Sequence, residues 1–416
     1  MRDLAPRTGR FAYGALIAFL FVLYANPGNW FNGLQDVGFA KVAAALALVA
    51  LGGSWLLYNR RLTVGGWPGL SLLALFALVG FSALWSYWPR ATLETFTDGL
   101  KYLAIFLVVT NVIDSPRRLR GVVAAIAIAT VVPAFGAIFS YLHGEHLVEG
   151  NRAGWIGVFG NPNDLAYFLV IGGAMALTAR DGSRRRATRL FYLALLLPIG
   201  VAILLTQSRG GMIASGVVLL LWALRSVRRA PAIVGVALAV GCVLCLGPSD
   251  VFEHRMETSV AFGEDLSARG RIDAWRTGLE MARERPLTGV GAGAFMIAWP
   301  DFAPGDVGPV RTEHNTFIQL IGELGFPGLL LFLVALSAGI LGVSRAARTQ
   351  EYGCYARGLQ CGLAGFAVCS LSGGLAFTWP VYLLLGASFA TARLSRAAET
   401  VPIARPRLAL VAAGAR

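Results

Sequence analysis

The sequence predicts an all-α, polytopic integral membrane protein with about twelve transmembrane helices and one large outer loop. Three observations predict it. The 416 residues are 56% hydrophobic and only 14% charged, against about 25% charged in soluble domains. Apolar runs recur along nearly the whole chain, most of them close to the roughly 20 residues that one bilayer crossing needs. Arginine clusters fall between alternate runs, as expected when cytoplasmic loops carry the basic residues.

The runs lie near 11–25, 37–58, 68–86, 98–113, 119–142, 163–179, 189–206, 210–226, 231–247, 314–343, 356–377 and 379–394. The first follows Arg2, Arg7 and Arg10 and lacks a small-residue cleavage site, so it reads as a retained span rather than a signal peptide. The last two read as a hairpin around Gly373-Gly374 and Trp379-Pro380. Arg60-Arg61, Arg117-Arg118-Arg120, Arg180 with Arg184-Arg185-Arg186, Arg225 with Arg228-Arg229, and Arg345 with Arg348 all land on one face. Both termini join them, and the positive-inside rule makes that face cytoplasmic. The opposite face, periplasmic in a Gram-negative cell, receives 143–162, the turn at 206–210, 248–313 and the turn near 373–380. Segment 248–313 is the one sizeable extramembrane piece, a loop with short helices that caps a single domain of residues 1–416.

The formal net charge is +13. In a soluble chain that would suggest nucleic acid. Here topology accounts for most of it, so no nucleic-acid partner is expected, and arginines on the outer face become the informative ones. Cys242, Cys245, Cys354, Cys361 and Cys369 lie within or beside apolar runs and read as packing residues. The CxxC spacing of Cys242 and Cys245 has no second pair to complete a metal site.

Four stretches of the outer face carry polar residues in suggestive places. Gly160-Asn161-Pro162-Asn163-Asp164 opens a span, with Asn161 as N-cap and Pro162 at the first helical position. Asn163 and Asp164 are then candidates for sugar contacts. Thr206-Gln207-Ser208-Arg209-Gly210-Gly211 joins two apolar runs, so Arg209 sits at the outer boundary, where its guanidinium suits a phosphate. An arginine snorkelling to lipid headgroups explains that position equally well. Ser267 to Ala282 predicts an amphipathic helix with Ile272, Trp275, Leu279 and Ala282 on its buried stripe. Arg271 stacks one turn before Trp275 and can point inward, or pair with Asp273 or Glu253. The glycines of Pro286-Leu287-Thr288-Gly289-Val290-Gly291-Ala292-Gly293 miss the GxGxxG spacing and strand context of a dinucleotide loop. They predict a close-packed turn instead.

Arg311-Thr312-Glu313-His314-Asn315-Thr316 ends the loop and opens a long apolar run. Thr312 is the expected N-cap, with His314 at or just inside the helix start, where the helix end helps keep an imidazole neutral. A neutral imidazole can accept a proton from an attacking hydroxyl. Adjacent Glu313 can orient the ring or serve as base itself. Gly325-Phe326-Pro327-Gly328 predicts a kink or break further on. His143, Glu145, His146 and Glu149 are too loosely spaced for a metal site and read as solvated loop.

In this order and spacing, NPND, TQSRGG, GRxxxW followed by PLTGVGAG, and EHNTFIQLIGELGFPG resemble the O-antigen ligase and polymerase-like family of bacterial membrane glycosyltransferases. The motifs cover about residues 150–345. The resemblance implies a GT-C-like membrane enzyme, an inverting transfer on the periplasmic face, and no metal or other cofactor. The implied donor is a glycan on undecaprenyl pyrophosphate. In the ligase branch the acceptor is a hydroxyl of lipid A–core. His314 matches the family's essential histidine, a general base. Arg209 and Arg271 match the arginine pair that holds the pyrophosphate, with Glu313, Asn315, Ser208, Asn163 and Asp164 as supporting candidates. Ligases, polysaccharide polymerases and protein O-oligosaccharyltransferases share these motifs. The moderate loop, without an extra soluble domain, favours the ligase. A transporter of lipid-linked sugars would concentrate ionisable residues at mid-membrane and repeat one half in the other, which this sequence does not.

Overall fold

The computed structural model describes residues 9–30, 38–58, 62–225, 266–305 and 309–399. The run 231–247 with Cys242 and Cys245, and 248–265 and 306–308 of the outer loop, lie outside the described residues. In chain order the helices are α1 (Arg10–Ala25), α2 (Phe39–Tyr58), α3 (Trp67–Phe81), α4 (Pro89–Val112), α5 (Pro116–Ala129), α6 (Val131–His143), α7 (Pro162–Asp181), α8 (Arg186–Leu205), α9 (Arg209–Arg225), α10 (Leu266–Glu284), α11 (Phe295–Phe302), α12 (Thr316–Gly342), α13 (Gly353–Cys369) and α14 (Trp379–Glu399). A two-residue ladder, β1 (Leu147–Val148) antiparallel to β2 (Arg152–Ala153), folds the segment between α6 and α7.

Each predicted apolar run in the described residues contains a helix, but 370–377 of the run 356–377 forms the turn between α13 and α14. The run 119–142 divides into α5 and α6, near Pro133, which cannot donate to the Ala129 carbonyl one turn earlier. Six segments among the described residues are long and apolar enough to cross a membrane: Arg10–Asn29, Phe39–Leu57, Trp67–Leu84, Pro116–His143, Arg186–Leu205 and Thr316–Arg348. That is fewer than the twelve read from the sequence. The other six runs are those of α4, α7, α9, α13 and α14, and 231–247, which lies outside the described residues. α9 and α13 have 17 residues each. α7, α13 and α14 are buried on nearly every side, so other helices rather than lipid cover them. They accommodate polar side chains that bond locally: Thr178 donates to Ala174 O (2.7 Å), Thr391 to Ala387 O (2.7 Å) and Gln360 to Ile340 O (2.8 Å). Small residues let these helices approach, and a methyl group at Gly358 would collide with Thr178. Cys361 and Cys369 are buried in this packing and unpaired.

The basic turns gather at one end of the bundle. Arg120 donates to the Tyr355 hydroxyl (3.1 Å), Trp222 donates to Asp181 (2.8 Å), and Arg180 lies 5.3 Å from the Trp222 ring. Arg118, buried, pairs with Asp114 (2.8 Å) and donates to Val112 O (3.2 Å).

α12 is broken where the sequence predicts. Gly325 has φ 67 and ψ −170, outside helical geometry and open chiefly to glycine. The break frees backbone groups that the turn after α10 satisfies. Val290 N–H donates to Gly322 O (3.0 Å), Gly291 N–H to Glu323 O (2.9 Å), and Phe326 N–H to Pro286 O (2.8 Å). Tyr87 N–H donates to Val290 O (3.0 Å) and Trp85 Nε1 to Thr288 O (2.9 Å), so the turn also grips the α3–α4 connection. The glycine-rich stretch is therefore the close-packed turn expected.

α10 corrects the predicted stripe. Ile272 and Leu279 are exposed, whereas Gly270, Ala274, Thr277, Gly278, Met281 and Ala282 are buried. Close approach decides the face: Gly278 meets Ile318 of α12, with no room for a side chain. Bulky residues would hold the helices apart.

Gly325→Ala places a Cβ at positive φ and against Pro286 O. The backbone strain alone costs about 1–3 kcal/mol. Its thermal unfolding midpoint in detergent is expected to fall by several degrees. An unchanged midpoint would show that the break does not depend on glycine.

Candidate active site

The end of the bundle opposite the basic turns collects the polar segments. His314 precedes α12 and is not inside it. Asn315, not Thr312, is the N-cap: its Oδ1 accepts from Phe317 N–H (2.9 Å) and Ile318 N–H (3.2 Å). Asn315 has the extended backbone a cap requires, φ −161 and ψ 121. His314 takes φ 47, uncommon for a non-glycine residue, and turns the chain into the helix. Thr312 instead places its hydroxyl 3.1 Å from His314 Nε2.

The start of α12 is stitched to the turn between α13 and α14. Thr316 N–H donates to Ser370 O (2.8 Å). The Thr316 hydroxyl donates to Gly373 O (2.8 Å) and accepts from Leu375 N–H (2.8 Å). Asn315 Nδ2 donates to Leu371 O (3.3 Å), and Gln319 Oε1 accepts from Ala376 N–H (3.3 Å). Glu313 turns toward this same hairpin, with its carboxylate against Gly374, where a side chain could not fit. Burial, with the charge of Asp164 adding to it, pushes the Glu313 carboxyl above the usual carboxylate range. Thr312 therefore supplies the imidazole's hydrogen bond, while Glu313 faces α7 and the hairpin.

Burial comes first, then the positive charges of Arg271 and Arg311, in holding the His314 imidazole below its ordinary value. The helix start is thus not the main cause of a neutral ring. Arg271 is also within electrostatic reach of Tyr167 on α7. The Tyr167 hydroxyl donates to Ser372 O (3.0 Å) and lies 2.8 Å from Ser372 Oγ. Gly210 closes the circuit, since a Cβ there would strike Ser372 Oγ and come within 3.1 Å of the Tyr167 hydroxyl. Arg209, the first residue of α9, sits beside that contact. His314, Arg271 and the start of α9 are thus linked through Tyr167 and Ser372, although they lie far apart in sequence.

Ser208 is buried and caps α9, with its Oγ accepting from Gly211 N–H (3.3 Å). That amide is therefore engaged within the protein. Asn161 caps α7 as expected, accepting from Asn163 N–H (2.8 Å). Asn163 Oδ1 accepts from Arg152 Nη2 (2.7 Å), and Arg152 Nε donates to Thr206 O (3.0 Å). Arg152 is only 7% exposed and ties the β1–β2 segment to the α8–α9 turn. Sequence reasoning missed Arg152 and Arg311. The criterion that selects Arg209, an arginine on the outer face, applies to both. His143 stacks on Phe139 with centroids 4.0 Å apart, and among the described residues no group of three His, Cys, Asp or Glu side chains could hold a metal ion.

Residues 191–333 match the family model described as Wzy_C, O-Antigen ligase. The matched segment runs from α8 into α12 and includes Arg209, Arg271 and His314. The chain is also similar to a protein named Exopolysaccharide production protein ExoQ, from Rhizobium meliloti (strain 1021). The two are 25% identical over 333 residues, 71% of this chain and 71% of the relative.

Asn315→Ala removes the cap of α12 and its tie to Leu371. The loss is expected to be about 1 kcal/mol, read as a lower unfolding midpoint. Asn315→Ser restores an acceptor and is expected to recover most of it. Equal midpoints for all three proteins would contradict the capping role.

Proposed function

We propose that this chain is a twelve-span inner-membrane glycosyltransferase with both termini cytoplasmic. It moves a glycan from undecaprenyl pyrophosphate to a sugar hydroxyl of lipid A–core on the periplasmic face, completing lipopolysaccharide. The observation that carries this reading is the convergence of His314, Arg271 and the Arg209 helix start at the bundle end away from the basic turns. The match of residues 191–333 to the O-Antigen ligase model supports it.

In this reading the acceptor hydroxyl gives its proton to His314 as its oxygen attacks the anomeric carbon from the face opposite the leaving group. The bond from that carbon to the pyrophosphate oxygen breaks, and configuration inverts. Undecaprenyl pyrophosphate leaves with one more negative charge, which Arg209 and Arg271 receive. Preorganised cations aimed at developing charge are worth most where water is excluded. Thr312 orients the imidazole, and burial, with nearby positive charge adding to it, keeps the ring neutral and free to accept a proton. No step calls on a metal or an organic cofactor.

A second reading has one specific support, the similarity to a protein named for exopolysaccharide production. In it the same donor chemistry extends a glycan on its lipid carrier. Deleting the gene separates the two. A ligase deletion leaves long glycan on the carrier and none on lipid A–core, whereas accumulated single repeat units would assign polymerisation instead.

A base is typically worth 10²–10⁴-fold in rate. His314→Ala is expected to lose at least about 100-fold in transfer by the purified enzyme. Arg209→Lys and Arg271→Lys are expected to lose most activity, because an ammonium lacks the planar fork. Wild-type rates in these variants would refute the assignment.

The pH profile supplies a separate check. A base works unprotonated, and the His314 pKa lies below its ordinary value of 6.5. Activity is therefore expected to persist into more acidic solution than an ordinary histidine would allow, with the acid limb below pH 6.5. An acid limb above that value would contradict the environment described for the ring.

A further inference from the structure

We propose that Arg311 is a further anion-binding residue of this site, holding a phosphate group of the lipid-linked donor together with Arg271. The inference rests on the donor reading above and deepens it.

The geometry is specific. The Arg311 guanidinium lies directly on the backbone of Gly270, so that a Cβ at Gly270 would stand 2.5 Å from both Cζ and Nε. Gly270 immediately precedes Arg271 on the buried face of α10. Arg311 is thus packed on the residue next to Arg271, and the charges of both arginines reach His314. Arg311 Nε is buried and has no hydrogen-bond partner among the described residues. Leaving a buried charged donor unpaired is costly, and two cations acting near one imidazole favour an anion between them. A planar fork on a phosphate makes paired, charge-assisted hydrogen bonds. When the pyrophosphate leaves it carries one more negative charge than Arg209 and Arg271 balance between them. Arg283 on the same helix differs: it is exposed and already paired with Glu280.

The glycine provides an independent handle. Gly270→Ala displaces the flexible end of Arg311 without removing its charge, and alanine suits a helix better than glycine. Binding of undecaprenyl pyrophosphate to the full chain in detergent, read as thermal stabilisation, tests the proposal. Arg311→Gln is expected to weaken binding about tenfold or more. Gly270→Ala is expected to weaken it in the same direction, and Arg311→Lys to recover only part of the loss. Arg283→Gln, which removes a charge away from the site, is expected to bind as wild type does.

Transfer kinetics add a readout that a structural role would not move. The charges acting on His314 are Arg271 from α10 and Arg311 from its own segment, while Glu313 faces the hairpin. Arg311→Gln is expected to raise the donor KM more than the acceptor KM and to shift the acid limb to higher pH. Arg311→Lys is expected to leave the limb in place. Wild-type binding by both Arg311→Gln and Gly270→Ala would overturn the proposal, as would a loss explained wholly by a lower midpoint without lipid. If Arg271→Gln fails to bind while Arg311→Gln binds normally, the donor reading stands and this inference falls. If the wild-type chain binds no undecaprenyl pyrophosphate, the donor reading fails and this inference with it.

Discussion

The break in α12 at Gly325 is the constraint on which the site depends. At membrane depth, water is not at hand to satisfy a backbone amide or carbonyl released by a kink. The protein must supply partners, and it does so from 286–291: Val290 and Gly291 cap the carbonyls of Gly322 and Glu323, and Pro286 O takes the Phe326 amide. α10 ends just before Pro286. Satisfying the kink therefore fixes α10 across the first turns of α12 and carries Arg271 to His314. The break also ends the first part of α12 soon after the histidine, leaving 326–342 as a separate helical arm. A continuous helix would release the loop from this grip.

A second set of ties works from the other side. Thr316, Asn315 and Gln319 bind the backbone of 370–376, and Tyr167 binds Ser372 within that turn. The hairpin between α13 and α14 is thus a common anchor for the starts of α7, α9 and α12. Its polar groups are buried and nearly all paired, which gives a rigid frame. The chemistry placed on this frame is electrostatically consistent. Burial first, and then the cations beside it, favour a neutral imidazole, and the same cations would attract an anionic leaving group. In the proposed reaction, one arrangement would prepare both the proton acceptor and the receiver of charge.

Much of the fold was legible in the sequence because it follows from hydropathy and chain chemistry. The apolar runs mark the helices, the Gly-Phe-Pro-Gly stretch marks the break, and Asn161-Pro162 marks the start of α7. The number of segments able to cross a membrane by themselves was less legible, because α7, α13 and α14 are covered by protein and need not be uniformly apolar. The α10 stripe was misread because helical periodicity weighs apolarity, whereas this interface selects small residues for close approach. The cap of α12 fell on Asn315 because the left-handed turn at His314 sets where the helix can begin. Arg152 and Arg311 met the outer-face criterion that selected Arg209, but their contacts are defined only in three dimensions. One links Asn163 to Thr206, and the other lies on Gly270.

The central claim is that segments distant in sequence form one donor-binding centre around His314. A cryo-electron microscopy structure of the chain with bound undecaprenyl pyrophosphate tests it most directly. The account predicts phosphate density within hydrogen-bond distance of the Arg209 and Arg271 guanidiniums, on the His314 side of the α13–α14 hairpin. Phosphate density among the basic turns at the opposite end, near Arg180 and Arg225, would contradict it.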